Sequence, residues 1–197
     1  YRRGEKWRRP GFTARAVLVA GDVEAVGFDL GLLQLTADPD AAVAHLGPDL
    51  LGGDWNPVRA AENLTARPDR ALGEALLDQR VLAGIGNVYR CELCFLAKLH
   101  PGAPVSAVSD PLALVGTAHR LLRSNAVPCG QRPKDTPKVR ASASDVRSTT
   151  GDRRRGRELW VYGREKRACR RCGSAIVRDT LGEGTERVIY FCPTCQS

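Results

Sequence analysis

The sequence predicts an α+β fold in three stretches: a few strands, then a helical domain, then a β-hairpin closed by a metal. Three observations carry it. Alternating, β-rich sequence occupies residues 12–36 at the N-terminal side. Helix start signals recur at Asn56, Asp69, Asn87 and Asp110. Two Cys-x-x-Cys pairs, Cys169/Cys172 and Cys192/Cys195, end the chain with 19 residues between them. The expected domains are 1–53 (strands and connector), 54–158 (helices) and 159–197 (metal hairpin).

Thr13 to Val19 alternates, Gly21-Asp22 marks a turn, and β-branched and leucine residues resume from Val23 to Leu35. Pro39 to Gly53 reads as a connector with a short helix over 40–46. Asn56-Pro57 pairs a capping side chain with proline at the first helical position and opens a helix to about Ala66. Asp69 caps a second helix with Leu72, Leu76 and Leu77 on one face. It ends before Gly84-Ile85-Gly86, where two glycines permit a sharp turn. Asn87 begins a third helix, running to about Leu99 ahead of Pro101. Asp110-Pro111 repeats the cap-plus-proline signal for a fourth, to about Asn125, with Leu112, Val115, His119 and Leu122 at helical spacing. Residues 126–158 are poor in apolar side chains and predict an irregular, partly mobile segment. Ser174 to Arg178 and Arg187 to Phe191 are two short strands around Gly182-Glu183-Gly184.

Each cysteine pair can present two thiolates from one tight turn, and two pairs make a four-thiolate site of zinc-ribbon spacing. Cys169, Cys172, Cys192 and Cys195 are therefore the candidate ligands of one structural Zn²⁺. Two disulfides are the alternative, but seven cysteines suit four ligands and three reduced thiols better than a disulfide framework. No apolar run approaches a membrane span and the start is not a signal peptide, so the expectation is a cytoplasmic, nucleoid-associated protein without a membrane partner.

The net charge of +8 is clustered. Residues 22–75 hold three Lys/Arg against ten Asp/Glu, whereas residues 130–178 hold fifteen against five. A basic block leading into the first cysteine pair is the electrostatic footprint of a phosphate-backbone binder. The Gly86-Asn87 helix start adds a candidate anion site, because the first backbone N–H groups of a helix lack partners and carry its positive dipole end. Taken alone, such a start is more simply a cap.

The run Leu76-Leu-Asp-Gln-Arg-Val-Leu-Ala-Gly-Ile-Gly-Asn-Val-Tyr-Arg90, followed by His100-Pro101, resembles the helix–two-turns–helix element of the formamidopyrimidine-DNA glycosylase/endonuclease VIII family. Trp160-Val-Tyr-Gly-Arg164, the first cysteine pair, Arg187 and Cys192-Pro-Thr-Cys-Gln196 are similar to the zinc-finger end of the same family. The two signatures span roughly residues 57–196, and their details favour the endonuclease VIII branch.

The resemblance implies a monomeric base-excision-repair enzyme that removes oxidised bases and nicks the abasic strand, with damaged or abasic duplex or single-stranded DNA as its partner. It implies that residues 12–36 are the last strands of an N-terminal β-sandwich, and that Gly86, Asn87 and Arg187 contact phosphates flanking a flipped-out nucleotide. Family members attack the sugar with an N-terminal proline amine, helped by a glutamate and a lysine. This sequence opens Tyr1-Arg2-Arg3-Gly4-Glu5-Lys6. The expectation is thus the DNA-gripping part of such an enzyme, a piece or a remnant of it, with no catalytic residue assigned here.

Residues 129–147 look like an inserted basic loop, a DNA contact or a surface insertion. Cys91-Glu-Leu-Cys94 is a third Cys-x-x-Cys, but it falls inside a helix among Val88, Leu93, Phe95 and Leu99, where packing explains it better than redox chemistry. His45, His100 and His119 suggest surface or packing roles. The rival reading is a non-catalytic zinc-ribbon adaptor that binds DNA or RNA, which leaves Leu76 to Arg90 unexplained.

Overall fold

The computed structural model describes residues 1–126, 147–182 and 186–196, in two compact units, Tyr1–Ala44 and His45–Ser197. In the first unit, β1 (Ala14–Ala20) and β2 (Val23–Phe28) form an antiparallel hairpin, with Val17 opposite Val26 and Ala20 opposite Val23. Gly21, at φ 62°, supplies the left-handed turn residue. Trp7 packs edge-on against Phe28 at 5.8 Å, and the Tyr1 ammonium donates to the Glu24 carbonyl at 2.9 Å. The second strand stops at Phe28 rather than reaching Leu35. Asp29 turns the chain at φ 49°, and Leu32, Leu33 and Leu35 are exposed. A strand needs a paired neighbour, and among the described residues none pairs with the chain from Asp29 to Leu35. The connector helix α1 (Pro39–Val43) is capped by Asp38, whose carboxylate accepts from the Ala41 N–H, and is shorter than the 40–46 expected.

The described residues of the second unit are built on four α-helices. α2 (Pro57–Thr65) starts as its sequence predicts, with the Asn56 side chain accepting from the Arg59 N–H at 3.0 Å. α3 (Leu72–Leu77) starts later than Asp69 and without a side-chain cap. Its first N–H groups are met instead by the 101–104 segment: Leu72 donates to the Ala103 carbonyl and Gly73 to that of Pro101. A remote carbonyl has taken the role expected of the aspartate. α4 (Asn87–Leu96) ends three residues early, because Lys98 adopts φ 60° and the Lys98 and Leu99 N–H groups bond back to Phe95 and Cys94. α5 (Pro111–Asn125) matches its predicted bounds, with Asp110 capping Ala113 at 2.8 Å. Its buried stripe is Leu114, Val115, Ala118 and Leu122; Leu112, expected on that face, is half exposed.

Leu64, Leu72, Leu76, Leu82, Leu93 and Val115 form the main core, each essentially sealed from water. Full burial of one such side chain contributes about 1.5–3 kcal/mol. A second core joins the other side of α4, through Cys91 and Phe95, to Val161, Ile176, Ile189, Cys169 and Cys192. α4 is therefore covered nearly all round, which accounts for its run of seven buried residues from Tyr89 to Phe95. The C-terminal hairpin pairs β3 (Val177–Leu181) with β4 (Arg187–Phe191), Arg178 opposite Tyr190. β4 has its expected bounds and β3 begins three residues later than Ser174, since residues 173–176 turn back onto the first cysteine knuckle: the Cys169 N–H donates to the Ser174 carbonyl and that of Ile176 to Arg167. The Glu183-Gly184 turn and nearly all of the 129–147 insertion lie outside the described residues.

Candidate nucleic-acid interface and metal centre

Between α3 and α4 the chain makes two tight turns, held by one side chain. Gln79 donates to the Leu77 and Ile85 carbonyls and accepts from the Gly84 N–H at 2.9 Å. Gly84 sits at φ 109°, a conformation rarely open to other residues, with Leu122 3.1 Å from where a Cβ would stand. The turns deliver Gly86 as the N-cap of α4, in extended conformation and with no capping side chain. Nothing lies within 4 Å of a Cβ built on Gly86, so the helix N-terminus opens onto free space.

That space is a groove of about 1030 Å³. Arg67, Arg70, Glu74 and Asp78 line one side, Gly86, Asn87 and Arg90 the floor, and Thr180, Leu181, Gly182 and Arg187 the hairpin side. Gly86, Asn87 and Arg187, picked out from a distance of a hundred positions in sequence, thus share one cavity. Arg187 is exposed at the start of β4. Arg70 bonds Asp78 at 2.8 Å. Burial pushes Asp78 up, but the Arg70 bond and the Arg80 N–H outweigh it and hold the carboxyl below its ordinary range.

Asn87 does not cap α4, as its position had suggested; it is the first helical residue, and its Nδ2 donates to the Val188 carbonyl at 2.8 Å. Arg90, one turn on and almost completely buried, donates to the same carbonyl at 3.0 Å and to that of Arg187 at 3.4 Å. The helix N-terminus and the strand carrying Arg187 are thereby locked together. Among the described residues, Asn87 Oδ1 and Arg90 Nε are buried without a partner.

Arg90 and Glu92 were not anticipated as site residues. Their signal was a pair of charges in the otherwise apolar run from Val88 to Leu96. Glu92 is fully buried, and its carboxylate accepts from the backbone N–H groups of Trp160, Val161 and Tyr162 at 2.8–2.9 Å and from the Thr149 hydroxyl. It pins the segment leading to the cysteines onto α4.

The Sγ atoms of Cys169, Cys172, Cys192 and Cys195 lie within 4.8 Å of one another, with Cys172–Cys192 at 3.4 Å and Cys169–Cys195 at 4.0 Å. These separations are far beyond a disulfide bond, and the four sulfurs can hold one metal ion. Hydrogen bonds from the Ser174 side chain and backbone hold the Cys172 thiol down at about 6, whereas burial pushes the Cys192 thiol up and that of Cys195 up to about 12. Gln196 fixes the second knuckle, accepting from the Cys192 N–H and donating to the Leu99 carbonyl beyond the end of α4. Cys91 and Cys94 are fully buried, and burial raises both thiols, as packing residues require and redox thiols do not. His119 stacks on Trp55 at 5.2 Å and bonds the Leu50 carbonyl.

Residues 46–130 match the family model of the formamidopyrimidine-DNA glycosylase H2TH domain. The chain is 50% identical to endonuclease 8 2 of Mycobacterium bovis, covering 100% of this chain and 72% of that protein. It is also 50% identical to the DNA-(apurinic or apyrimidinic site) lyase Nei2 of Mycolicibacterium smegmatis, covering 93% of this chain and 66% of that one. Among solved structures it resembles MutM in complex with DNA containing carbocyclic 8-oxo-G, with a TM-score of 0.57 and 26% identity over 81% of this chain. The Fpg of Lactococcus lactis in complex with abasic-site DNA shares the fold, with a TM-score of 0.54 and 24% identity over 80% of this chain. The chain spans about half the length of those two solved proteins, 53% and 54%.

Proposed function

The chain belongs to the formamidopyrimidine-DNA glycosylase/endonuclease VIII family, and on that footing we propose that it supplies the DNA grip of an endonuclease VIII-type glycosylase and abasic-site lyase acting on oxidised bases. The observation that carries this reading is the groove that joins the N-terminus of α4 to Arg187. In it, α3, the two turns and α4 act as a helix–two-turns–helix element. The open N–H groups after Gly86 and the Asn87 amide receive one backbone phosphate, and the Arg187 guanidinium receives another. Two phosphates held at a fixed separation keep the strand kinked around an extruded nucleotide, so that the glycosidic carbon is exposed.

Cys169, Cys172, Cys192 and Cys195 would hold one Zn²⁺. A tetrahedron with Zn–S near 2.3 Å has S···S edges of about 3.8 Å, and the observed 3.4 and 4.0 Å bracket that value. When bound, the metal supplies structural closure and no reaction step. The hairpin unit fully buries few apolar side chains, Ile176 and Ile189 beside the cysteines, so a metal cross-link would add to the Asn87 and Arg90 bonds that hold the strand of Arg187. A zinc-ribbon adaptor would explain the knuckles and the charge, but not a groove whose floor is the turn before α4. No described helix is long and apolar enough to cross a membrane.

The test is fluorescence anisotropy of the full 197-residue chain on matched duplexes, one carrying a stable abasic analogue. Tighter binding to the abasic duplex is expected. Equal affinity for the two would overturn the repair reading in favour of the adaptor.

A further inference from the structure

Leu181 ends β3 directly opposite Arg187, in the last pair of the hairpin ladder. Its side chain touches the second core and also reaches the start of α3. A Cβ placed on Gly73 would stand 3.0 Å from Leu181 Cδ2, and one placed on Gly102 would stand 3.8 Å from Leu181 Cδ1. The two methyls of Leu181 thus lie against two glycines from separate segments. We propose that this glycine slot, filled by Leu181, is the docking point that sets where Arg187 stands in the groove, which makes Leu181 a positioning residue for the DNA grip. The proposal rests on the role given to Arg187 above, but the docking itself can be read in the free protein.

Gly73 supplies the first argument. It is buried inside α3, where glycine is a poor helix former. Close approach explains its presence. Carbon atoms in contact lie about 3.5–4.0 Å apart, so a side chain at position 73 would collide with Leu181 and, at 2.9 Å, with the Pro101 carbonyl oxygen. That carbonyl already accepts from the Gly73 N–H at 2.7 Å. Without a Cβ, one residue receives both the turn at Pro101 and the hairpin.

The second argument is geometric. Arg187 is exposed, so the course of its backbone, and not packing of its own side chain, decides where the guanidinium stands. On the β4 side that backbone is held at one place, the Val188 carbonyl, which accepts from Asn87 and Arg90. A strand held at one place can pivot about it. Leu181 adds a second hold, on the other strand and against α3 instead of α4. Leu181 and Arg187 both line the groove, together with Ala71 and Glu74 of the α3 side. The slot therefore fixes the width of the groove at the point where Arg187 enters it.

The experiment uses the full chain as wild type, Leu181→Ala, Leu181→Met, Arg187→Ala and the Leu181→Ala/Arg187→Ala double variant, with thermal melts confirming that the helices are folded. Amide hydrogen exchange of the free proteins reads the docking, and the salt dependence of abasic-duplex binding reads its effect on Arg187. Leu181→Ala should speed exchange at Arg187 and Val188 several-fold. It should also lower the slope of log K against log salt by about 1, the increment of one arginine–phosphate contact. The double variant should lose no more than Arg187→Ala alone, because the two changes remove one and the same contact. Leu181→Met, long enough to refill the slot, should restore both readouts. Should the alanine variant melt early, Leu181→Val, one carbon shorter than wild type, carries the same test. An unchanged slope in Leu181→Ala overturns the proposal. So does a loss that adds in full to that of Arg187→Ala, since a leucine that merely stabilises the hairpin would weaken both proteins alike. If Arg187→Ala itself leaves DNA binding unchanged, the role of Arg187 falls and the exchange rates judge the docking alone: wild-type rates in Leu181→Ala overturn it, and faster rates sustain it.

Discussion

The Asn87 amide nitrogen donates to the Val188 carbonyl at 2.8 Å, joining positions 101 residues apart. Through this bond the first residue of α4 and the residue after Arg187 move as one piece. The two phosphate contacts proposed for the groove therefore sit on a single rigid body and not on two independently mobile elements. Arg90, donating to the same carbonyl from beneath, reinforces the joint. Asn87→Ala should weaken abasic-duplex binding by about 1 kcal/mol for the lost bond, and by more where Arg187 drifts. Isothermal titration of the single and Arg187 double variants checks this. Full additivity of the two losses would show that the residues are not coupled.

Arg187→Ala tests the other end of the groove. The expected loss is about 1–3 kcal/mol, as for a hydrogen bond to a charged group. The slope of log K against log salt should also fall by about 1. Affinity that is unchanged at low and at high salt would remove Arg187 from the interface.

Gly86 separates folding from binding. Its φ of −109° is open to any residue, and a Cβ there meets nothing within 4 Å, so Gly86→Val should leave the melting temperature close to wild type. The added methyls would stand over the N–H groups offered to phosphate, and DNA affinity should fall several-fold. A melting temperature that dropped along with affinity would point to a packing role instead.

Removing the metal should unfold the hairpin before the helices. With a strong chelator, or in Cys172→Ser, the circular dichroism of the helices should persist while DNA affinity falls to near background, because the metal supplies the folding free energy of so small a unit. Retained affinity in the stripped protein would detach the hairpin from the grip.

His100 predicts a pH effect of definite sign. Its Nδ1 accepts from the Gly102 N–H at 3.0 Å, its ring packs edge-on against Phe191, and burial lowers its pKa despite the opposing pull of Asp179. A base whose folded pKa lies below its unfolded value contributes stability above about pH 6.5, and that contribution is lost as pH falls through this value. Melting temperatures compared at pH 7.5 and 5.5 should fall further for wild type than for His100→Asn. Equal falls would remove His100 as a source of the acid sensitivity.

Much of the site was legible in the chain because local chemistry dictates it. Asn56-Pro57 and Asp110-Pro111 began helices where their capping carbonyl and carboxylate oxygens reach the next free N–H groups, and the two cysteine pairs announced their own cluster. Asp69 failed for a physical reason: the N-terminus of α3 found the carbonyls of Pro101 and Ala103, partners some thirty positions away that no local signal reveals. Leu112 failed because periodicity gives a face but not which edge of it meets the core. Arg90 and Glu92 were passed over because a charge on an apolar helix is ordinarily a solvated edge. Here both sides of α4 are covered, and each charge is buried against backbone groups that only the folded chain supplies.

The sequence by itself determined the elements, the thiolate set and the glycine-opened turn, since these depend on spacing and on backbone preferences acting over a few residues. Only the tertiary structure decided that Gly86 and Arg187 face one groove, that Asn87 is a clamp to Val188 and not a cap, and that the buried Glu92 pins the segment before the cysteines onto the same helix. Those relations join residues up to a hundred positions apart, and they exist because burial leaves each polar group one set of partners within reach.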